Sequence, residues 1–594
     1  MKLTGRKGPL RSRVCLFTFV ALLTATWHAA HVVVAATPAA DAATSAQPAA
    51  QATTRPGPGK NAVSSAYPLA TEAGLEILDK GGNAFDAAVA VSAALNVVEP
   101  RGSGLGGGGF YLLHRASDGM QIMIDAREVA PAAARPEMFL DGTGAPVPGG
   151  STETALAAGI PGELAGYAHL AEKYGRLPLS QSMQPAIRLA RDGFPVYPRL
   201  VDDIRRKQKQ LSKTPDGQRI FLRHGEPPQV GEIFKQADLA KSLEAIATKG
   251  PDEYYRGALA RRIVAGVRQL GGIWSAEDLA GYKVIERPPL VGSYRTTRGT
   301  IRIVTAPPPS SGGVAILDSL NILSGFDLAR LQPVDRKHLI VEALRRVHRD
   351  RAEYFGDPDF VSIPLDRFLS PDYAAGQRAS IRIDRATPSA TLPGYIGDGH
   401  EGTSTTHFNV LDRDGNRVAG TITLNAWFGS GLVVPGTGIL LNNEMDDFAI
   451  KPGVPNIYGL VGAEANAVAP RKRPLSSMAP TFLESERGIA MMGSPGGSVI
   501  PTLVLLGTLN WINGADAAQI VSARRIHHQY MPDLIWVETE ALTDAERETL
   551  ASRGHQFRPW PATIGNMHAI TWDYEGNKVV AGSDPRGAGK GIVR

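Results

Sequence analysis

Thr405, Thr406, His407 and Phe408 open a run of alternating apolar and polar residues in the middle of the 594-residue chain. A threonine hydroxyl is a weak nucleophile unless a base stands beside it. If the chain is cut immediately before Thr405, one residue carries both groups: a hydroxyl, and a free α-amine of reference pKa about 7.7–8.0 that can take its proton near neutrality. Downstream, Gly493, Ser494, Pro495, Gly496, Gly497 and Ser498 follow the apolar residues Ile489 to Met492, so a strand ends in a loop of bare amides. Paired amides of that kind are what an oxyanion hole requires. Ser476 and Ser477, after Arg473, Pro474 and Leu475, add two neighbouring hydroxyls. Taken singly, each cluster also reads as an ordinary turn.

The elements that must position these residues are legible in outline. Two alternating stretches, Thr405 to Leu411 and Arg417 to Leu424, flank Arg413, Asp414, Gly415 and Asn416, which is a hairpin signal. Pairing Asp412 with Arg417 sets Thr405 opposite a position near Thr423 and Leu424, bringing Thr423 and Asn425 beside it. Threonines are also good strand residues for their own sake, so the hairpin alone leaves a structural and a catalytic reading open. Tyr67 to Lys80 has helical periodicity and stops at Gly81 and Gly82; Asn83 then caps an Ala-rich helix to about Val98, ended by Pro100. Leu339 to Phe355 reads as a further helix, charged on one side.

Composition removes several competing functions. The formal net charge is +5, but Lys2, Arg6, Lys7, Arg11 and Arg13 all precede the first acid, Asp41, and without them it vanishes. No basic footprint for nucleic acid remains outside that segment. Residues 1–36 read as a secretory signal peptide with an apolar core from Val14 to Ala25 and small residues ending at Ala36, which implies a secreted or periplasmic protein. Residues 37–60, rich in Ala, Thr, Pro, Gln and Gly, read as a disordered tether. The only cysteine, Cys15, lies in the leader, so disulfides, thiolate catalysis and cysteine metal sites are excluded for the mature chain. Gly102, Gly104 and Gly107 fit a dinucleotide pattern but follow a helix and Pro100 rather than a strand. His400 and Glu401 begin a zinc-protease-like pattern whose second histidine position is Ser404, and the pair His527, His528 lacks further ligands at suitable spacing. No metal or cofactor is expected.

In order along the chain, these segments resemble the gamma-glutamyltransferase (gamma-glutamyltranspeptidase) family of the N-terminal nucleophile hydrolase superfamily. The likeness runs from about Ala62 to Arg586. It includes Gly81 to Ala84 with Asp86 to Ala88, Gly104 to Phe110, Arg127 and Glu128 with Ala130 and Pro131, Pro307 to Gly313, and Asp350 to Phe360. After the expected cut it includes Thr405 to Phe408, Leu440 to Phe448, Pro452 to Asn466, Lys472 to Met478 and Gly493 to Ser498. The resemblance implies an α+β fold, a four-layered αββα sandwich built from one precursor. That precursor is cut between Ser404 and Thr405 into a large subunit (61–404) and a small subunit (405–594), which form a heterodimer.

It further implies that Thr405 carries the gamma-glutamyl group as an ester, passing it from donors such as glutathione to water or to amino-acid or peptide acceptors. Thr423 is then the partner of the freed amine, and Gly496 and Gly497 are the oxyanion-hole glycines. Arg127, Ser476 and Ser477 hold the substrate α-carboxylate; Asn425, Glu444 and Asp447 surround the α-ammonium. Tyr458, within Pro452 to Asn466, belongs to a lid loop and latches to Asn425. The chain departs from the family pattern at Thr403 and Ser404, before the cut, and at Ala426 and Trp427, where a more apolar acceptor side is expected. Two alternatives stand beside this reading. One is a glutaryl-type beta-lactam acylase of the same fold, against which Asp447 speaks, since a carboxylate facing an α-amine serves only a substrate that has one. The other is a non-catalytic binding protein on the same scaffold.

Overall fold

The central hairpin forms, with its register shifted by one residue from what its spacing suggests. In the computed structural model, which describes residues 56–392, 404–560 and 565–594, Arg417 pairs with Leu411 rather than with Asp412. Asp412 is instead drawn into the turn, where its carboxylate accepts the amides of Asp414 and Asn416 and the Ala84 amide at the start of a helix. An Asx-type turn of this kind outcompetes one more ladder pair. The expected signal peptide, most of the expected tether, His400 and Glu401 lie outside the described residues. Contact with the body begins slightly before Asn61: Pro58 is buried and the Gly59 amide donates to the Arg413 carbonyl at 3.0 Å.

Strands Thr406–Leu411 and Arg417–Thr423 are the centre of a seven-stranded antiparallel sheet. Its order is Lys590–Val593, Ala62–Ser65, Thr406–Leu411, Arg417–Thr423, Gly108–Arg115, Met120–Ala126 and Ile285–Arg287. A second sheet of six strands runs Lys578–Ser583, His568–Asp573, Gly488–Gly493, Thr481–Glu484, Gly299–Thr305 and Leu290–Thr296. Alternation along Gly108–Arg115 shows how they stack. Tyr111 and Leu113 join the core shared with helices Pro68–Asp79 and Ala84–Val98, while Phe110 and Leu112 join the core between the sheets. Helices Gly312–Leu323, Pro333–Tyr354 and Ile500–Ile512 contribute to the second core from the far side. The result is the expected αββα arrangement.

Local chemistry explains the helix boundaries. Asn83 accepts from the amides of Phe85 and Asp86 at 3.0 and 3.1 Å while Asp86 returns a bond to the Asn83 amide, a reciprocal cap for Ala84–Val98. Pro333 opens the long helix six residues before the expected Leu339, as a proline suits a first turn. Its charged side is not solvated: Glu342, Arg345, Arg346, Asp350 and Arg351 are buried, with Glu342 ion-paired to Arg346 at 2.7 Å and Arg345 at 3.3 Å. The glycines before Gly108–Arg115 are packing residues. A Cβ on Gly107 would overlap the Thr423 carbonyl oxygen, so this glycine allows Gly108–Arg115 to pair closely with Arg417–Thr423. Among the described residues no helix is long and apolar enough to cross a membrane.

Candidate active site

Thr405 lies one residue before its strand, and since Thr406 pairs with Ile422 it falls opposite Thr423. The two hydroxyl oxygens are 3.0 Å apart, and Thr423 Oγ1 also accepts the Asn425 amide at 2.8 Å. Thr405 holds φ +91°, a left-handed angle that a β-branched residue adopts only under constraint. On the other side of the Ser404–Thr405 peptide bond, the Gly496 amide donates to the Ser404 carbonyl oxygen at 2.9 Å. Gly496 and Gly497 stand at φ +131° and +58°, and a Cβ on Gly497 would overlap the Tyr458 ring. Both positions therefore call for glycine. His407 is buried and held neutral, its pKa pushed down to about 3 chiefly by burial; its ring is bonded to Thr421 at 2.8 Å and Asn409 at 3.3 Å. It offers Thr405 no base.

A narrow cavity of about 20 Å³ joins Thr405, Thr423, Asn425, Arg127, Glu444, Asp447, Ser476, Ser477, Tyr458 and Gly497, room for about one water molecule. Every substrate-binding residue expected from the sequence therefore borders one space. Their pairing differs from expectation. The Arg127 guanidinium, 1% exposed, is ion-paired to Glu444 and to Asp447 at 2.6 Å and donates to the carbonyls of Pro474 and Leu475 at 3.2 and 3.3 Å. The cation meant for one end of a substrate and the carboxylates meant for the other hold each other. An unpaired buried charge costs several kcal/mol, so in a closed pocket they must. Asn425 likewise spends its side-chain amide on the Asn443 carbonyl at 2.9 Å, and Ser476 Oγ accepts the Met478 amide at 3.1 Å.

Three carboxylates crowd this single cation. Burial, only partly offset by Arg127, pushes Glu128 up to about 8 and raises Glu444 and Asp447 as well. Burial opposes the Arg127 charge, yet Glu444, Asp447 and Glu128 outweigh it and hold the guanidinium protonated.

The loop Pro452 to Asn466 covers this cavity. Tyr458 Oη donates to the Asn425 carbonyl at 2.6 Å, the latch expected from the sequence. Asn456 donates to Asp447 Oδ1 at 3.1 Å, and the Ile457 amide donates to Asp446 Oδ2 at 2.9 Å. Asp446, Asn443 and Asn456 were not singled out from the sequence. For Asn443 and Asp446 the only signal was the density of amides and acids in Asn442 to Asp447; Asn456 lies in the loop Pro452 to Asn466, across which its partner sits. His527 is a packing residue, bonded to Thr502 at 2.8 Å and Gln529 at 3.0 Å. Among the described residues, His338, Glu342 and His555 converge closely enough to hold a cation, but two arginines already neutralise Glu342.

Beyond the Ser404–Thr405 bond lies a wider pocket of about 420 Å³ that also reaches Ser404, Thr405 and Gly496. Trp427 lines it, and the guanidinium groups of Arg101 and Arg206 each lie 5.5 Å from its ring centre.

Two facing antiparallel sheets between helical layers, with a hydroxyl residue at the start of a central strand and a glycine amide on the preceding carbonyl, define an N-terminal nucleophile hydrolase. Comparison with known proteins narrows the class. The family model of gamma-glutamyltranspeptidase matches residues 70–593, and the chain belongs to that family. It is 44% identical over 530 residues to a glutathione hydrolase proenzyme of Escherichia coli, covering 88% of this chain and 90% of that one. The crystal structure of Helicobacter pylori gamma-glutamyltranspeptidase superposes with TM-score 0.53 at 40% identity, covering 57% of this chain and 96% of that one. A cephalosporin acylase from Bacillus halodurans superposes with TM-score 0.78 at 29% identity, covering 90% and 95%. This protein is a gamma-glutamyl acyl-transfer enzyme.

Proposed function

We propose that the chain is a self-cutting precursor whose Thr405 hydroxyl first attacks the Ser404 carbonyl carbon and later serves as the nucleophile toward gamma-glutamyl donors. The observation that carries this is the Gly496 amide on the Ser404 carbonyl oxygen, at the residue whose backbone is strained. Attack moves charge onto that oxygen, where the amide already points. The Ser404–Thr405 C–N bond breaks, an ester to Oγ1 forms, and water hydrolyses it to a Ser404 carboxylate and a free Thr405 amine. The strained φ of Thr405 exists only while the peptide bond does, so cutting releases on the order of 1–3 kcal/mol.

In the matured enzyme the free amine acts as base for Oγ1, with Thr423 positioning both. The hydroxyl attacks the γ-carbonyl of the donor, the donor amine leaves with a proton, and water or an acceptor amine then takes the acyl group from Thr405. Opening of the Arg127–Glu444–Asp447 cluster fits an amino-acid head group: the guanidinium takes the α-carboxylate as a two-donor fork, aided by Ser476 and Ser477. Glu444, Asp447 and Asn425 take the α-ammonium. Glutathione is the donor this reading puts first, in keeping with the name of the Escherichia coli relative. Residues 1–36 serve as a cleaved export signal and 37–60 as a tether.

Denaturing electrophoresis with N-terminal sequencing of the smaller band tests the proposal; the band should begin Thr, Thr, His, Phe. A Thr405→Ala chain should remain uncut and inert toward a gamma-glutamyl anilide, and a variant that still matures would sink the mechanism. The overlap with a cephalosporin acylase favours a second reading, deacylation of glutaryl groups. Asp447 on Arg127 weighs against it, and faster turnover of a glutaryl than a gamma-glutamyl anilide would reverse the order.

A further inference from the structure

The 420 Å³ pocket and the narrow cavity share a single lining residue, Thr405. An acyl group bound to Oγ1 with its amino-acid head among Arg127, Glu444 and Asp447 therefore presents its other side, where the departing or arriving amine stands, to the wider pocket. Four arginines line that pocket, Arg101, Arg199, Arg206 and Arg586, against two acids. Two of the four are neutralised: Arg101 by Glu99 at 2.9 Å and Asp203 at 3.0 Å, and Arg586 by Glu538 and Asp584. Arg199 has only a 3.9 Å approach to Asp203 and a 3.3 Å bond to a backbone carbonyl. Its charge is disfavoured chiefly by the like charge of Arg101 and then by burial. Arg206 makes no direct ion pair among the described residues, its charge reaching Asp203 only at longer range, and rests on the face of Trp427. Unspent positive charge beside an indole face suits an anionic group on a short organic chain.

We propose that this pocket is the subsite for the leaving and accepting amine, and that Arg199 and Arg206 bind a carboxylate on it, with Trp427 packing against the intervening chain. The inference rests on the gamma-glutamyl reading above. It makes carboxylate-bearing amines, such as peptides with a free C-terminus, the preferred acceptors. In the transfer step the acceptor nitrogen forms a bond to the ester carbonyl carbon and the bond from that carbon to Oγ1 breaks. One amine proton passes by way of the Thr405 amine to Oγ1, so no other reactant is needed.

Acceptor discrimination tests it. With a gamma-glutamyl anilide as donor, the wild type should use glycylglycine about tenfold or more better in kcat/KM than glycylglycine amide, as a charge-assisted bond implies. In Arg199→Gln/Arg206→Gln that ratio should fall toward one, through the acceptor KM rather than kcat. Arg206→Lys should keep part of it. Should the double variant fail to mature, Arg206→Gln alone, at an exposed position, should still lower the ratio severalfold. Equal use of the two acceptors by the wild type, or an unchanged ratio in the variants, would overturn the subsite while leaving the donor chemistry standing. No cleavage of the anilide in water by matured wild type would overturn the gamma-glutamyl reading and this one with it.

Discussion

At Thr405 a β-branched residue holds a backbone angle that few side chains tolerate, and the carbonyl before it is already clasped by a glycine amide. Strain and donor act on the same peptide bond, and on the proposed mechanism this poises the uncut chain for self-cutting. Gly496→Ala tests the donor, because its φ of +131° does not suit alanine and the new methyl would press on Val499. Self-cutting should slow by about 10²-fold or more. A time course of chain cutting on denaturing gels checks this, with far-ultraviolet circular dichroism confirming the fold; a rate within a few-fold of wild type would assign the stabilising role elsewhere.

The elements contribute by bringing distant residues to one edge. The hairpin supplies Thr405 and Thr423, the end of Met120–Ala126 supplies Arg127, and the loop after Gly488–Gly493 supplies the amides. The lid is held by bonds that include Tyr458 to Asn425, Gln529 to the Tyr458 carbonyl, Asn456 and Asn466 to Asp447, and Ile457 to Asp446. Tyr458→Phe removes one hydrogen bond, about 1 kcal/mol, from an element that is not part of either sheet. Amide exchange over residues 452–466 should accelerate about fivefold, with exchange in the sheets unchanged. Mass-spectrometric hydrogen exchange reads both, and unaltered protection in the lid would show that the phenol does not latch it.

Across the whole molecule, strands from the two sides of the expected cut interleave. Ala62–Ser65 lies between Lys590–Val593 and Thr406–Leu411, and Gly299–Thr305 pairs with Thr481–Glu484. Separating the pieces means tearing both sheets, so the matured fragments should co-elute on gel filtration and part only in denaturant. Buried titratable groups set the pH range. His114, His407, His555 and His568 are pushed down to about 3, and His348 and His528 to about 4, chiefly by burial. Below about pH 6.5 the unfolded chain protonates them and the folded one does not, so stability falls with acidification from there. Glu128 and Glu163 act oppositely: burial raises each to about 8, so the folded state retains protons that the unfolded state has lost above about pH 4.5. Their stabilisation fades as pH climbs through 8. Melting temperature should therefore peak near pH 6–7 and decline on both sides. Calorimetry between pH 4.5 and 9 checks it, and a flat profile from pH 5 to 6.5 would contradict the histidine assignment.

The sequence by itself determined what depends on neighbours along the chain. The capping box at Asn83, the hairpin around Gly415 and the glycine amides after Met492 follow from local turn and cap chemistry, and the threonine at a strand start from period-two alternation. The ordered motifs placed Arg127, Asn425, Glu444, Asp447, Ser476 and Ser477 in one site, and one cavity does join them. Only the tertiary structure decided how they pair. Arg127 and Glu444 stand 317 residues apart, and no periodicity encodes their closing on each other out of water. The hairpin register likewise shifted because the Asp412 carboxylate found a helix amide 328 residues away. The charged face of Pro333–Tyr354 became interior, and Trp427 acquired two guanidinium neighbours from residues 101 and 206. Spacing reveals which groups a chain can offer, whereas burial decides which of them must satisfy one another.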